Sequence, residues 1–341
     1  GRQLGAGRLP NPTAGFEFQP ESSLSPRTAT FSLDQNFPLT RRLSLEKERS
    51  ARLITAAEWE VKEVERRLFA EAASLAVEVM AIGQHLALHQ QQAKLAATLV
   101  EFTEARARVG EISHLDASQA KVDARRLELE SRQLAARKTL LLGQLKPLLG
   151  LPVSAELALA GELPPPALPA AGDWQQRPDY QLALLREQTA HTDTALANAG
   201  RWQDISAGLF AASEKQQVGG GRDENTGFVG FRIGIPLPLW DRNQGRVAEA
   251  AAAAQRARQE TAALAAEIAH EAETARRDMA DQMALFGETR DRLLPLLAEQ
   301  AAAVEKAYEA GQTDLLTLLR TREQHLEARS SLIDTLRDFH L

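Results

Sequence analysis

The chain has 341 residues, 44 % of them hydrophobic and 25 % charged, and its 40 Lys and Arg against 46 Asp and Glu leave a net charge of -6. That balance gives no overall basic footprint for nucleic acid, and the signs alternate along the chain instead of running in blocks. Cysteine is absent, which removes disulfides, thiolate metal sites and cysteine nucleophiles.

No apolar run approaches the roughly 18–20 residues of a transmembrane helix. Gly1 to Pro10 lacks the charged and apolar regions of a signal peptide, so an export signal, if one exists, is expected upstream of Gly1. A barrel strand needs only about 9–11 alternating residues, so a β-type membrane span stays open.

Taken in order, the first expected strand covers residues 13–19, where Ala14, Phe16 and Phe18 alternate with Gly15, Glu17 and Gln19. After a polar loop, Pro20 to Arg27, a second strand is expected over 28–37, with Ala29, Phe31, Leu33 and Phe37 opposite Thr28, Thr30, Ser32, Asp34 and Asn36. A helix is expected over 41–109, capped by Thr40, free of proline and containing only Gly83 as a breaker. At 1.5 Å per residue it would be roughly 100 Å long. Gly110 suits a left-handed C-cap, and Ser113 can start a returning helix over 114–146. Residues 151–200 read as a connector with Pro152, Pro164, Pro165, Pro166 and Pro169, followed by a moderate helix from Gln181 to Gly200.

The second half runs through the same kinds of element. Strands are expected over 204–213 and 227–236, joined by a loop from Glu214 to Thr226 that contains Gly219, Gly220 and Gly221. A second long helix is expected over 241–310, with Asp241 and Gln244 as a near capping box and only Gly245, Gly287 and Pro295 as breakers. Gly311 then closes it, and Thr313 or Asp314 opens a last helix over 314–341. Phe37-Pro38-Leu39 and Ile235-Pro236-Leu237 lie 198 residues apart, and Gly110 and Gly311 lie 201 apart. Two landmarks in one order at nearly one offset point to a duplicated strand-strand-helix-helix unit, 1–150 and 201–341.

Four strands cannot close a barrel, since even small barrels need about eight, and lipid does not tolerate open edges. The pattern therefore implies completion by other chains. The fold class expected is an α+β membrane protein: a trimeric twelve-stranded β-barrel, four strands per protomer, continuous with a long α-helical barrel. A soluble periplasmic or cytoplasmic coiled-coil scaffold with two hairpin inserts is the alternative from a different class.

The repeated unit resembles the TolC-type outer-membrane efflux proteins, and Gly227 to Gly245, with its Ile235-Pro236-Leu237-Pro238-Leu239-Trp240-Asp241-Arg242-Asn243-Gln244-Gly245 stretch, resembles their heavy-metal (CzcC-type) branch. Asn11-Pro12 and Arg177-Pro178-Asp179 match the same family. The resemblance implies a passive homotrimeric duct in the outer membrane of a Gram-negative bacterium, with its helical tunnel in the periplasm. Its partners would be outer-membrane lipid, a periplasmic adaptor (membrane fusion protein) and an inner-membrane proton-driven RND pump. Its cargo would be divalent heavy-metal cations; organic drugs or polypeptides stay open as the alternative. No nucleic acid and no cofactor is implied.

By the same resemblance, adaptor docking and gating fall at the tips: Val109, Gly110, Ile112, Leu115 and Asp116 in the first, Tyr308, Gly311, Thr313, Leu315, Leu316, Thr317 and Arg320 in the second. Asp116 and Tyr308 stand where some relatives form an acid–tyrosine latch, while Thr313 replaces a basic member of that network. Glu17, Asp34 and Arg232 alternate with lipid-side residues and are expected to face the barrel lumen. His85 and His89, four apart on one helical face, have a spacing able to hold zinc, with no third ligand evident. No catalytic constellation emerges: no Gly-rich loop precedes a helix, and His270-Glu271 lacks the second histidine of a zinc-protease motif. The chain reads as no enzyme.

Overall fold

The computed structural model describes residues 5–20, 27–159, 161–170, 172–218 and 222–341. Four strands and six α-helices follow one another among them: β1 (Thr13–Gln19), β2 (Arg27–Phe37), α1 (Arg42–Arg108), α2 (His114–Leu148), α3 (Pro178–Ala199), β3 (Ile205–Val218), β4 (Arg222–Gly234), α4 (Gln244–Glu288), α5 (Leu294–Glu309) and α6 (Leu315–His340). A short 3-10 turn, Trp174–Gln176, precedes α3, and a π-helical segment, Thr289–Leu293, joins α4 to α5. The chain divides into two compact units. One holds residues 1–63 and 173–267, the other residues 64–172 and 268–341.

The first unit carries the sheet. Its strands are antiparallel throughout, in the order β1-β2-β3-β4. Phe16, Phe31, Ala211 and Val229 are register partners across the four strands, and so are Ala14, Leu33, Leu209 and Phe231. These rows put the large apolar side chains on one face and leave them in solvent: Phe16 is 73 % exposed, Leu209 63 %, Val229 80 % and Phe231 77 %. A sheet face this apolar and this uncovered is suited to hydrocarbon rather than to water. In the same unit, Arg42 meets Asp204 at 2.7 Å, Arg49 pairs with Asp193, and Arg52 donates to the Gln188 carbonyl at 2.7 Å, tying α1 to α3 and to the residue just ahead of β3.

Several predicted boundaries are corrected, among them the helix expected from Gln181, which begins at Pro178. The residues expected as a loop from Glu214 to Thr226 are mostly strand, because the backbone ladder continues through Glu214↔Thr226 and Lys215↔Asn225 to Val218↔Arg222. Glu214 to Gln217 and Arg222 to Thr226 are polar in sequence, so no alternation announced the ladder; Gly219 to Gly221 lie outside the described residues. At its far end β4 stops at Gly234, short of 236, since Pro236 has no N–H to offer a ladder. The second long helix begins at Gln244 rather than 241. Asp241 accepts from Asn243 N at 2.8 Å in a local turn, Asn243 takes φ +60°, and its carbonyl receives the first helical bond from Val247 at 3.0 Å.

That helix is also interrupted. Pro295 cannot donate a backbone bond, and just ahead of it the chain widens to π geometry, with Leu294 N–H reaching the Thr289 carbonyl. In the first long helix, the Arg41 carbonyl accepts from Leu45 N at 3.1 Å, which sets the start one residue past the cap expected at Thr40.

The second unit is helical. One cluster packs Ala81, Leu163, Phe286 and Leu336, another Leu88, Ala96, Leu127 and Leu326, and a third Val79, Ile82 and Leu141. Leu163 belongs to the proline-rich connector, so part of that extended segment is anchored in the core. None of the described helices is long and apolar enough to cross a membrane.

Candidate functional site

The two tips are built alike. Arg108 ends α1; Gly110 N–H then reaches the Ala107 carbonyl at 3.2 Å and Glu111 N–H the Arg106 carbonyl at 3.0 Å. At the end of α5, Gly311 N–H reaches the Tyr308 carbonyl at 3.1 Å and Gln312 N–H the Ala307 carbonyl at 2.8 Å. Each is a Schellman turn, which needs a residue at positive φ; Gly110 has φ +80° and Gly311 φ +70°. The returning helices are capped by side chains. Ser113 Oγ accepts from Leu115 N at 3.1 Å, and Asp314 Oδ1 from Thr317 N at 2.8 Å; the Thr317 side chain first, and then this backbone bond, hold the Asp314 carboxyl below its ordinary pKa. Asp314→Ala is expected to cost about 1 kcal/mol of helix stability, measurable as faster amide exchange in the first turn of α6.

The residues predicted for the tips divide by burial. Val109 is 71 % exposed, Leu115 75 % and Leu316 48 %. Gly110, Gly311, Thr317 and Arg320 are exposed as well, while Ile112, Asp116 and Thr313 are half-buried. Tyr308 and Leu315 are buried. They pack with Leu99, Ala120 and Leu318 in a cluster drawn from α1, α2, α5 and α6, so the two helical hairpins share a core just behind their turns.

Among the described residues of the single chain, no hydrogen bond joins Asp116 to Tyr308. The Tyr308 hydroxyl is buried and has no hydrogen-bond partner among the described residues. Burial pushes its pKa up, the Asp116 charge adds to the rise, and Arg106 opposes it. The Tyr308 ring is engaged instead through its edge-to-face contact with Phe102, at 6.3 Å between centroids. On Phe102 lies the Arg106 guanidinium, 5.0 Å from the centroid, and Arg106 Nε donates to Glu111 Oε2 at 2.9 Å. Phe102, Arg106 and Glu111 were not singled out from sequence. Their only signal was an aromatic and a base one helical turn apart (i, i+4), which many surface helices also show. Further back, Lys121 bridges to Glu104 at 2.8 Å, Arg126 to Glu323 at 3.2 Å, and Arg322 to Glu305.

The two histidines of α1 do not converge on a common ion. His85 Nε2 lies 3.2 Å from Asp334 of α6, whose same oxygen takes Arg337 at 2.7 Å. His89 Nδ1 lies 3.3 Å from Glu130 of α2, an ion-pair distance without hydrogen-bond geometry. No group of three or more metal-binding side chains occurs among the described residues. Burial pushes the His89 pKa down, outweighing the nearby Glu130. With the folded pKa depressed, the unfolded chain binds the proton more readily, so stability falls as pH drops below the ordinary histidine value of about 6.5. His89→Gln is expected to flatten the fall in thermal midpoint between neutral and mildly acidic pH, measured by helical circular dichroism.

In the first unit, Thr13, Asp34, Gly208 and Arg232 are register partners in one row across the sheet, and Glu17 shares their face. Arg232 Nη2 donates to both carboxylate oxygens of Asp34, at 2.9 Å each. A groove of about 600 Å³ in the second unit is lined by Gln84, Lys138, Glu162, Leu163, Phe286 and Arg329 among others. Among its described lining residues no nucleophile is paired with a base.

No family model matches the sequence, and no curated protein matches it. The fold, in contrast, has close counterparts among solved structures. The chain is similar to the outer membrane protein VceC from Vibrio cholerae, with 19 % identity and a TM-score of 0.69 over 96 % of this chain and 83 % of that one. It is similar to a membrane protein from Pseudomonas aeruginosa, with 20 % identity and a TM-score of 0.72 over 98 % and 82 %. The CmeC outer membrane channel of Campylobacter jejuni matches with 14 % identity and a TM-score of 0.70 over 96 % and 74 %. The chain thus shares its fold with these three membrane proteins.

Proposed function

We propose that the chain is one protomer of a passive, homotrimeric efflux duct in the outer membrane of a Gram-negative bacterium. The observation that carries this reading is the sheet. It has one apolar, uncovered face, and β1 and β4 form its two edges. Lipid suits the apolar face, but it excludes open edges, and four strands are too few to close a barrel. Three copies joined edge to edge resolve both difficulties, giving twelve strands. The fold shared with VceC and CmeC supports the same arrangement.

In this reading the long helices α1 and α4–α5, with their returning partners α2 and α6, form a periplasmic tunnel. The units 1–150 and 201–341 descend from one duplicated unit, a view supported by the matching turns at Gly110 and Gly311. The exposed Val109, Leu115 and Leu316 are then the apolar contacts of a tip on which a periplasmic adaptor docks, linking the duct to an inner-membrane RND pump. The cargo proposed is divalent heavy-metal cations, supported by the resemblance of the 235–245 stretch; drug or polypeptide export is the second reading of the same duct. No step of covalent chemistry is required of it.

The test is direct. Protein extracted from outer-membrane fractions in detergent should cross-link as a trimer and give discrete conductance steps in planar bilayers. A protein that stays soluble and monomeric, with no conductance, would sink the duct and favour a coiled-coil scaffold.

A further inference from the structure

The polar face of the sheet carries a charge arrangement with a built-in steric requirement. Asp34 and Arg232 stand on β2 and β4, with β3 between them, so their backbones are about 9–10 Å apart. The side chains nevertheless meet, Arg232 Nη2 touching both Asp34 oxygens at 2.9 Å. They meet directly above Gly208, the register partner of both. A Cβ placed on Gly208 would lie 2.0 Å from Asp34 Oδ1 and 2.9 Å from its Cγ. The bridge therefore exists because β3 has no side chain in that row. Glu17 and Glu214 belong to the same face, in rows farther along the strands, and neither is in an ion pair among the described residues.

We propose that the Asp34–Arg232 bridge laid across Gly208 sets the charge selectivity of the barrel, by cancelling one lumenal carboxylate in every protomer. The inference rests on the duct reading, in which this face lines the lumen. Fixed charges on a pore wall concentrate counter-ions, and a ring of three unpaired carboxylates would favour cations. Bridged to Arg232 through two charge-assisted bonds, the same carboxylates offer a passing cation no free ligand. The barrel is then a weakly selective conduit at this level, and a preference for one cargo has to arise outside this row of the wall.

The experiment is the reversal potential of the reconstituted trimer under a potassium chloride gradient in planar bilayers. Arg232→Gln should raise the potassium-over-chloride permeability ratio severalfold, and Asp34→Asn should lower it. The double variant, which removes both charges, should return to the wild-type ratio. Asp34→Asn keeps the side-chain shape and provides the second arm if Arg232→Gln fails to assemble. Unchanged ratios in the single variants, or a double variant as displaced as the singles, would overturn the inference. Failure of the wild-type trimer to conduct at all would instead remove the duct reading beneath it.

Discussion

Tyr308→Ala is expected to destabilise the helical unit by about 3–5 kcal/mol, the range for emptying a buried aromatic site. Tyr308 is only 6 % exposed and anchors the cluster shared by both hairpins, so the loss should reach α1, α2 and α6 as well as α5. Tyr308→Phe should behave in the opposite way. The hydroxyl is buried without a partner among the described residues, and an unsatisfied polar group of that kind costs about 1–3 kcal/mol. Its removal is therefore expected to leave stability unchanged or to raise it. Chemical denaturation followed by helical circular dichroism separates the two variants. A Tyr308→Phe protein destabilised as much as Tyr308→Ala would show that the hydroxyl holds a bond to Asp116 or another group.

The second large effect contrasts two neighbours on one helix. Leu318 is 1 % exposed and Leu316 48 % exposed, although both lie in the first turn of α6. Leu318→Ala removes a filled core position and is expected to cost about 2–5 kcal/mol. Leu316→Ala should change stability by no more than about 0.5 kcal/mol, as for an ordinary surface site. Under the proposed function, Leu316→Ala should still weaken capture of the adaptor by the intact trimer. If both variants lose stability equally, Leu316 is covered by a neighbouring protomer instead of being held out for a partner. Leu318 and Tyr308 share a cluster, so their double variant should depart from additivity.

Much of the local structure could be read from the residues. Phe16, Phe31, Leu33 and Val229 announced strands because a period of two is imposed by the backbone itself. The glycines at 110 and 311 announced the tips because a Schellman turn needs a left-handed residue. The failures have equally physical causes. From Glu214 to Gln217 the sequence is polar without a break, so a hydrogen-bonded ladder left no apolar alternation. The π-helical segment before Pro295 was missed because an uninterrupted helical composition does not reveal how a missing N–H is accommodated.

What the sequence determined alone is what the backbone period and local turn chemistry determine: four strands, the long helices and their sharp reversals. Only the tertiary structure decided which of the tip residues are surface and which are core, since burial of Tyr308 and Leu315 depends on four helices meeting. Only it showed that Asp34, 198 residues from Arg232, is neutralised by it. That contact depends on the register of three strands and on the empty space above Gly208, and neither is a property of any stretch of chain read by itself.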